Sequence, residues 1–206
     1  MVQRGVVGEA MRAYYDRRAA EYDDWWLGTG LFARRERPGW DAEVAVVLAA
    51  VAGLGARRWL DVACGTGYVT RHLQGDVTGL DQSAAMVEIA AARLPRGRAV
   101  QGDAVPLPFA DGAFDAVFTA HFYGHLLAEE RTAFLGEARR VAPELVVLDA
   151  ALQPGGVPEE WQERKLDDGS RHRVYKRFFT PEGLAAEVGG GRVVHAGHWF
   201  VLVTAP

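Results

Sequence analysis

The sequence is poor in cysteine, and that removes several classes of protein. Cys64 is the one cysteine among 206 residues, so an internal disulfide and a thiolate-rich zinc site are both excluded. An excess of positive charge is also missing. Lys and Arg number 23 against 27 Asp and Glu, a formal net charge of −4. A chain held on nucleic acid chiefly through phosphates needs a basic surplus, so nucleic acid is not the expected partner. No apolar run approaches the roughly 18 residues that cross a membrane, and the opening MVQRGVVGEAMRAYYDRR has no stretch suited to a secretory signal. A soluble, cytoplasmic chain is expected, with no membrane partner and no metal, either monomeric or homodimeric. Internal repeats and low-complexity tracts are absent as well.

What remains is ordinary globular composition, 49% hydrophobic and 24% charged. At roughly 150 residues per domain, the length fits one domain. Residues 8–26 read as an amphipathic helix, with Met11, Tyr14, Tyr15, Ala19 and Tyr22 at spacings of three and four. A Gly- and Pro-containing loop over 28–39 precedes a second helix over 41–53. From residue 58 the pattern alternates. Short apolar runs at 58–62, 77–80, 98–101, 114–119 and 145–148 read as strands, with helices expected at 67–74, 83–93 and 129–141. Ser83 suits the N-cap of the second of these helices. Such alternation implies right-handed crossovers and a Rossmann-like, doubly wound α/β sheet, mostly parallel. The tail departs from it. Thr180 and Pro181 open a helix, and the runs at 193–195 and 199–203 lie too close for a crossover, so they form an antiparallel hairpin.

The chemistry concentrates where strand one meets its turn, Leu60-Asp61-Val62-Ala63-Cys64-Gly65-Thr66-Gly67. Glycines there allow close backbone approach to a ligand. Asp81 and Asp103 follow strands two and three, so three acids stand at the carboxyl ends of neighbouring strands, where open parallel sheets bind ligands. A dinucleotide fingerprint needs a third glycine, which Gly65-Thr66-Gly67-Tyr68-Val69-Thr70 lacks, and Asp61 would repel a pyrophosphate. No Lys follows the glycines, which excludes a P-loop. An acid at Asp61 suits a ligand with a cationic group.

These stretches, in this order, resemble the class I S-adenosylmethionine (SAM)-dependent methyltransferases, in particular the small-molecule branch similar to the ubiquinone/menaquinone enzymes. LDVACGTG is similar to their first motif, DQSAAMVEIAAAR to the strand-two acid and its helix, and GDAVPLPFADGAFDAVFTAHFYGHL to the adenine acid and strand-four motif. YYDRRAAEYDDWW resembles their capping helix. Ala63 stands where the family has its first loop glycine.

The resemblance implies a seven-stranded sheet with a reversed terminal hairpin. It is divided into a helical N-terminal lid over 1–40, a SAM-binding core over 41–150 and a substrate-side segment over 151–206. It implies SAM as cofactor and S-adenosylhomocysteine (SAH) as product. Asp61, Ala63, Gly65 and Gly67 would face the methionine part; Asp81 and Gln82 the ribose; Met86, Asp103 and Ala104 the adenine. Ala120 and His121 would border the sulfonium, with Tyr15 and Tyr22 closing over it.

His121 and His125, four residues apart, are the candidate bases for a hydroxyl acceptor, His121 the more distinctive; the alternative, local packing or hydrogen bonding, is the commoner role for such residues. An unperturbed imidazole predicts a rate that falls below a pH near 6–7. Trp25, Trp26 and Tyr123 are candidates for an acceptor pocket. Residues 163–178 hold six Lys or Arg against three acids, which suits a solvated strand face or a surface for an anionic substrate better than an RNA-facing patch. The expected activity is methylation of a small molecule on oxygen or nitrogen. The alternatives are a SAM-binding protein that does not methylate, and an enzyme acting on RNA or protein.

Overall fold

The computed structural model describes residues 8–94 and 96–206; residues 1–7 of the expected lid lie outside the described residues. Seven strands form one sheet in the order β3-β2-β1-β4-β5-β9-β8. They are β1 (Ala56–Val62), β2 (Gln74–Asp81), β3 (Arg98–Gln101), β4 (Ala116–Ala120), β5 (Leu145–Ala150), β8 (Arg192–Ala196) and β9 (Phe200–Ala205). The first five pair in parallel, while β9 runs antiparallel between β5 and β8. The strand order turns outward in both directions from β1 and β4, which places the switch point of the sheet between them.

The central strands feed two cores, as a period of two requires. Leu60, Val62, Val117, Val147, Val201 and Val203 face α5 (Ala128–Val141) and α6 (Pro181–Glu187). Trp59, Val77, Phe118, Val146, Leu148 and Leu202 face α3 (Trp40–Ala52), which contributes Val44, Val47 and Val51. Those three valines recur at helical spacing, and Asp41 and Glu43 favour the positive end of the α3 dipole. The Ser83 hydroxyl caps α4 (Ala84–Arg93) by accepting from the Met86 N–H, and Thr180 caps α6 through Gly183.

Three expectations need correction. The helix expected over 67–74 is a single 3₁₀ turn, Thr70–His72. Strand β2 begins at Gln74, three residues before the apolar run that signals it, so the segment has no length left for a helix. The long N-terminal helix is broken: α1 (Glu9–Arg18) passes through a 3₁₀ turn into α2 (Asp24–Leu27). Lastly, Glu159–Lys165 forms a strand, β6, that the sequence reading missed. It pairs antiparallel with β7 (Arg171–Arg177) as a separate two-stranded arm, and Tyr14 of α1 packs on Val174 and Leu166 of that arm.

The N-terminal segment is therefore clamped between the arm and the carboxyl edge of the sheet. Arg12 pairs with Asp103 at 3.0 Å, and the Ser83 hydroxyl donates to Asp16 at 2.5 Å. Asp23 accepts from the Thr66 hydroxyl at 2.5 Å and pairs with Arg93 at 2.6 Å. Glu21 accepts the Asp167 N–H at 2.8 Å.

Candidate active site

The carboxyl ends of β1, β2 and β4 enclose a small cavity of about 40 Å³. Ala63, Gly65, Leu80, Asp81, Gln82, Gly102, Asp103, Ala104, Ala120, His121 and Phe122 line it, and Tyr15 and Tyr22 close it. Gly65 adopts φ 56° with the Tyr22 ring directly over it, 3.2 Å from where a Cβ would stand. Ala63 holds φ 59°, a left-handed conformation that costs an alanine about 1–2 kcal/mol. The backbone of this loop needs a glycine-like conformation even where no glycine is present.

Asp81 is buried and shared between two backbone donors, Gly65 N–H and Ser83 N–H, each at 2.9 Å. Burial raises its carboxyl to about 6 despite those donors. Asp61 lies beneath the loop. Its Oδ2 accepts from the Thr70 hydroxyl at 2.5 Å, and its Oδ1 has no partner. Burial, with Asp81 adding repulsion, pushes its carboxyl up to about 8.

A second cleft of about 1080 Å³ adjoins the first and shares Tyr15, Tyr22 and His121 in its wall. Trp25, Trp26, His125, Trp161, Arg164 and Lys176 also border it. His121 stands at the junction. Its φ is 54°, and its ring packs edge-on against Trp25, Trp26 and Phe200, with centroids 4.7, 5.2 and 5.5 Å away. Nδ1 lies 3.7 Å from Asp149 Oδ1, while Nε2 is buried without a partner. Burial lowers the imidazole to about 3, against a smaller upward pull from Asp149.

Asp149, at the end of β5, is fully buried. It receives the Lys176 ammonium at 2.5 Å, the Gly124 N–H at 2.7 Å and the Ala150 N–H at 2.7 Å. Burial alone would raise this carboxyl; the Lys176 charge overrides it and holds Asp149 below its usual range. His125 is also buried, and its Nδ1–H donates to the Tyr175 carbonyl at 2.6 Å, which fixes the tautomer. Asp149 was not singled out from sequence, and Lys176 only as one of the six basic residues of 163–178. Asp149 carried the same mark as the others, an acid closing an apolar strand.

A family model described as a methyltransferase domain matches residues 60–144. The Thermotoga maritima demethylmenaquinone methyltransferase is 43% identical over 98 residues, 44% of this chain and 42% of that protein. The match thus spans about two fifths of that relative. Among solved structures, a DhpI–SAH complex is 30% identical with a TM-score of 0.71, covering 94% of this chain and 93% of the other. A DhpI–SAM–HEP complex is 29% identical with a TM-score of 0.76, covering 100% of both chains. The chain belongs to the class I SAM-dependent methyltransferase family.

In this methyltransferase the residues fit the cofactor. Acids stand at two strand ends, and a glycine-conformation loop and apolar Leu80 and Phe122 flank them. Beneath the loop an orphaned carboxylate oxygen of Asp61 lacks a positive partner. Of the expected contacts, Asp61, Gly67 and Met86 are not on the cavity wall. Gly67 backs onto Ala90 of α4, 3.3 Å from where its Cβ would stand, and Met86 is fully buried. Tyr123 is likewise buried in the α5 core, with its hydroxyl donating to Glu187 at 3.3 Å, so it does not border the acceptor cleft. The positive φ at His121 and the 3₁₀ turn at Tyr123–His125 turn both histidines to the cleft and Tyr123 away from it.

The raised acids have a consequence for stability. An aspartate in the unfolded chain titrates near 3.9, whereas folded Asp61 titrates at about 8. Between those values the folded protein retains a proton the unfolded chain has released, so stability falls as pH rises. We expect the melting temperature of the ligand-free protein to decline from pH 5 to 8 more steeply than that of Asp61→Asn. Thermal melts across that range decide it; parallel curves would contradict the buried, protonated carboxyl.

Proposed function

We propose that this methyltransferase moves a methyl group from SAM to an oxygen of a small-molecule acceptor held in the larger cleft. SAM supplies the electrophilic methyl on its sulfonium. Asp81 and Gln82 would hold the ribose, Asp103 and the Ala104 amide the adenine, and Ala63 and Gly65 the methionine end. Asp61, from beneath the loop, would give up its proton on binding and balance that positive charge. Tyr15 and Tyr22 close over that ligand and exclude water.

The observation that carries the reading is the junction of the two cavities at His121. Its unpartnered Nε2 is an acceptor for a hydroxyl proton where acceptor and cofactor sides meet. With its titration lowered to about 3, the ring is neutral across ordinary pH. That corrects the expected rate loss below pH 6–7. We expect no His121 limb above about pH 4, while His121→Ala lowers kcat by about 10²–10⁴-fold and leaves SAH affinity nearly unchanged. A pH–rate profile and SAH calorimetry check both. A variant with full kcat on a hydroxyl acceptor would remove His121 from the chemistry.

So low a basicity also favours a second reading, an amine acceptor that arrives neutral and needs no base. Incubation with methyl-labelled SAM and paired hydroxyl and amine acceptors, followed by mass analysis of the product, separates the two. SAH binding without release from SAM in any mixture would leave a SAM-binding protein that does not methylate.

A further inference from the structure

The larger cleft distributes its charge by depth. Most of its acids stand at the mouth, and those that do not are engaged: Glu163 pairs with Arg171 and Glu160 accepts from Gln162, while half-buried Asp24 accepts from Thr29 and half-buried Glu21 from the Asp167 N–H. Glu36 and Asp167 are exposed. The depth carries cations. Arg18 and Lys176 are buried, and Arg164 is half-buried.

The arm explains how two of these cations meet. In the β6–β7 register Glu160 lies opposite Lys176, Gln162 opposite Val174 and Arg164 opposite His172. Residues at alternate positions share a face, so Arg164 and Lys176 stand on one face of the arm. Val174 and His172 on that face pack against Tyr14 of α1. Beyond the burial that lowers His121 and His125, the Arg164 charge lowers each further, which places the guanidinium within electrostatic reach of both rings.

Among the described residues Arg164 has no carboxylate partner. Its recorded hydrogen bond is to Gln162 Oε1 at 3.2 Å, leaving most of its five N–H donors unassigned. Arg18 bonds the Tyr14 hydroxyl at 2.9 Å and has no carboxylate partner among the described residues either. The Lys176 ammonium has one recorded acceptor, Asp149, for three donors. Cations gathered in a cleft repel one another and lose hydration unless an anion joins them. Asp149 is the one carboxylate hydrogen-bonded to any of these three cations among the described residues; Glu21 feels the Arg18 charge but is engaged by the Asp167 N–H.

We propose that the acceptor carries a small anionic group, a carboxylate or a tetrahedral oxyanion, which Arg164 and Lys176 hold in the larger cleft. This rests on the methyl-transfer reading for the word acceptor, but the anion site itself does not. The Arg164 fork suits two oxygens of such a group, and Lys176 adds a point charge. The arm, absent from the sheet itself, is then the specificity element of this site.

The test uses the full chain saturated with SAH, titrated with inorganic phosphate and separately with acetate. Chloride at matched ionic strength serves as control, and tryptophan fluorescence is the readout, since Trp25 and Trp161 border the cleft. We expect saturable binding of one anion or both, with phosphate preference assigning an oxyanion and acetate preference a carboxylate. Arg164→Met should weaken it about tenfold or more, and Arg164→Lys should recover part of it. SAH affinity should stay constant in both variants. No saturable signal beyond chloride, or equal binding by Arg164→Met, overturns the proposal. If wild-type protein fails to bind SAH, the methyl-transfer reading fails separately, and the same titrations without SAH still decide the anion site.

Discussion

Replacing Asp149 with alanine is expected to destabilise the protein by about 3–5 kcal/mol, the usual cost of stranding one partner of a buried ion pair. Lys176 would keep a buried ammonium with no carboxylate, and the Gly124 and Ala150 N–H groups would lose their acceptor. For a chain of this size each kcal/mol lowers Tm by about 2–4 °C, so a fall of roughly 6–20 °C should appear in thermal melts. Asp149→Asn/Lys176→Met removes both charges while retaining most of the volume, and should restore much of the loss. A single variant within about 1 kcal/mol of wild type would show that the pair is not the structural centre of the cleft.

The second large effect concerns the cofactor. Asp81→Ala should weaken SAM and SAH binding by about 1.5–3 kcal/mol for each charge-assisted hydrogen bond it removes, or tenfold and more in Kd. Asp81 also positions the loop, because it receives Gly65 N–H, so the variant loosens the backbone that faces the ligand. Asp81→Asn keeps an acceptor for one of the two backbone donors and should lose less. Calorimetry with SAH, on variants whose circular dichroism is unchanged, gives the comparison. Wild-type affinity in folded Asp81→Ala would exclude it from the ribose site.

The strand-end acids were legible because a parallel sheet brings all its carboxyl ends to one edge, so Asp81 and Asp103 could be placed before any coordinates. The terminal hairpin was legible from the short spacing between its two apolar runs. Strand β6 was not, since Glu159–Lys165 alternates weakly: it belongs to a two-stranded arm whose buried side is contributed mostly by Val174 and Leu166, packed on Tyr14 of α1. The turn at Thr70–His72 was hidden by Val69 and Leu73, which are buried as a helix would bury them but reach the core from a tighter coil. Asp61 illustrates a different limit. Its strand end was visible, but not that Thr70 would hold its carboxylate beneath the loop rather than in the cavity wall.

Tyr15 and Tyr22 wall both the cofactor-side cavity and the neighbouring cleft. An outward displacement of the segment carrying these two tyrosines would therefore open both at once. Occupancy of the two compartments is thus linked through one moving part. Linkage is reciprocal: whatever factor SAH adds to the affinity of the other occupant, that occupant adds to SAH.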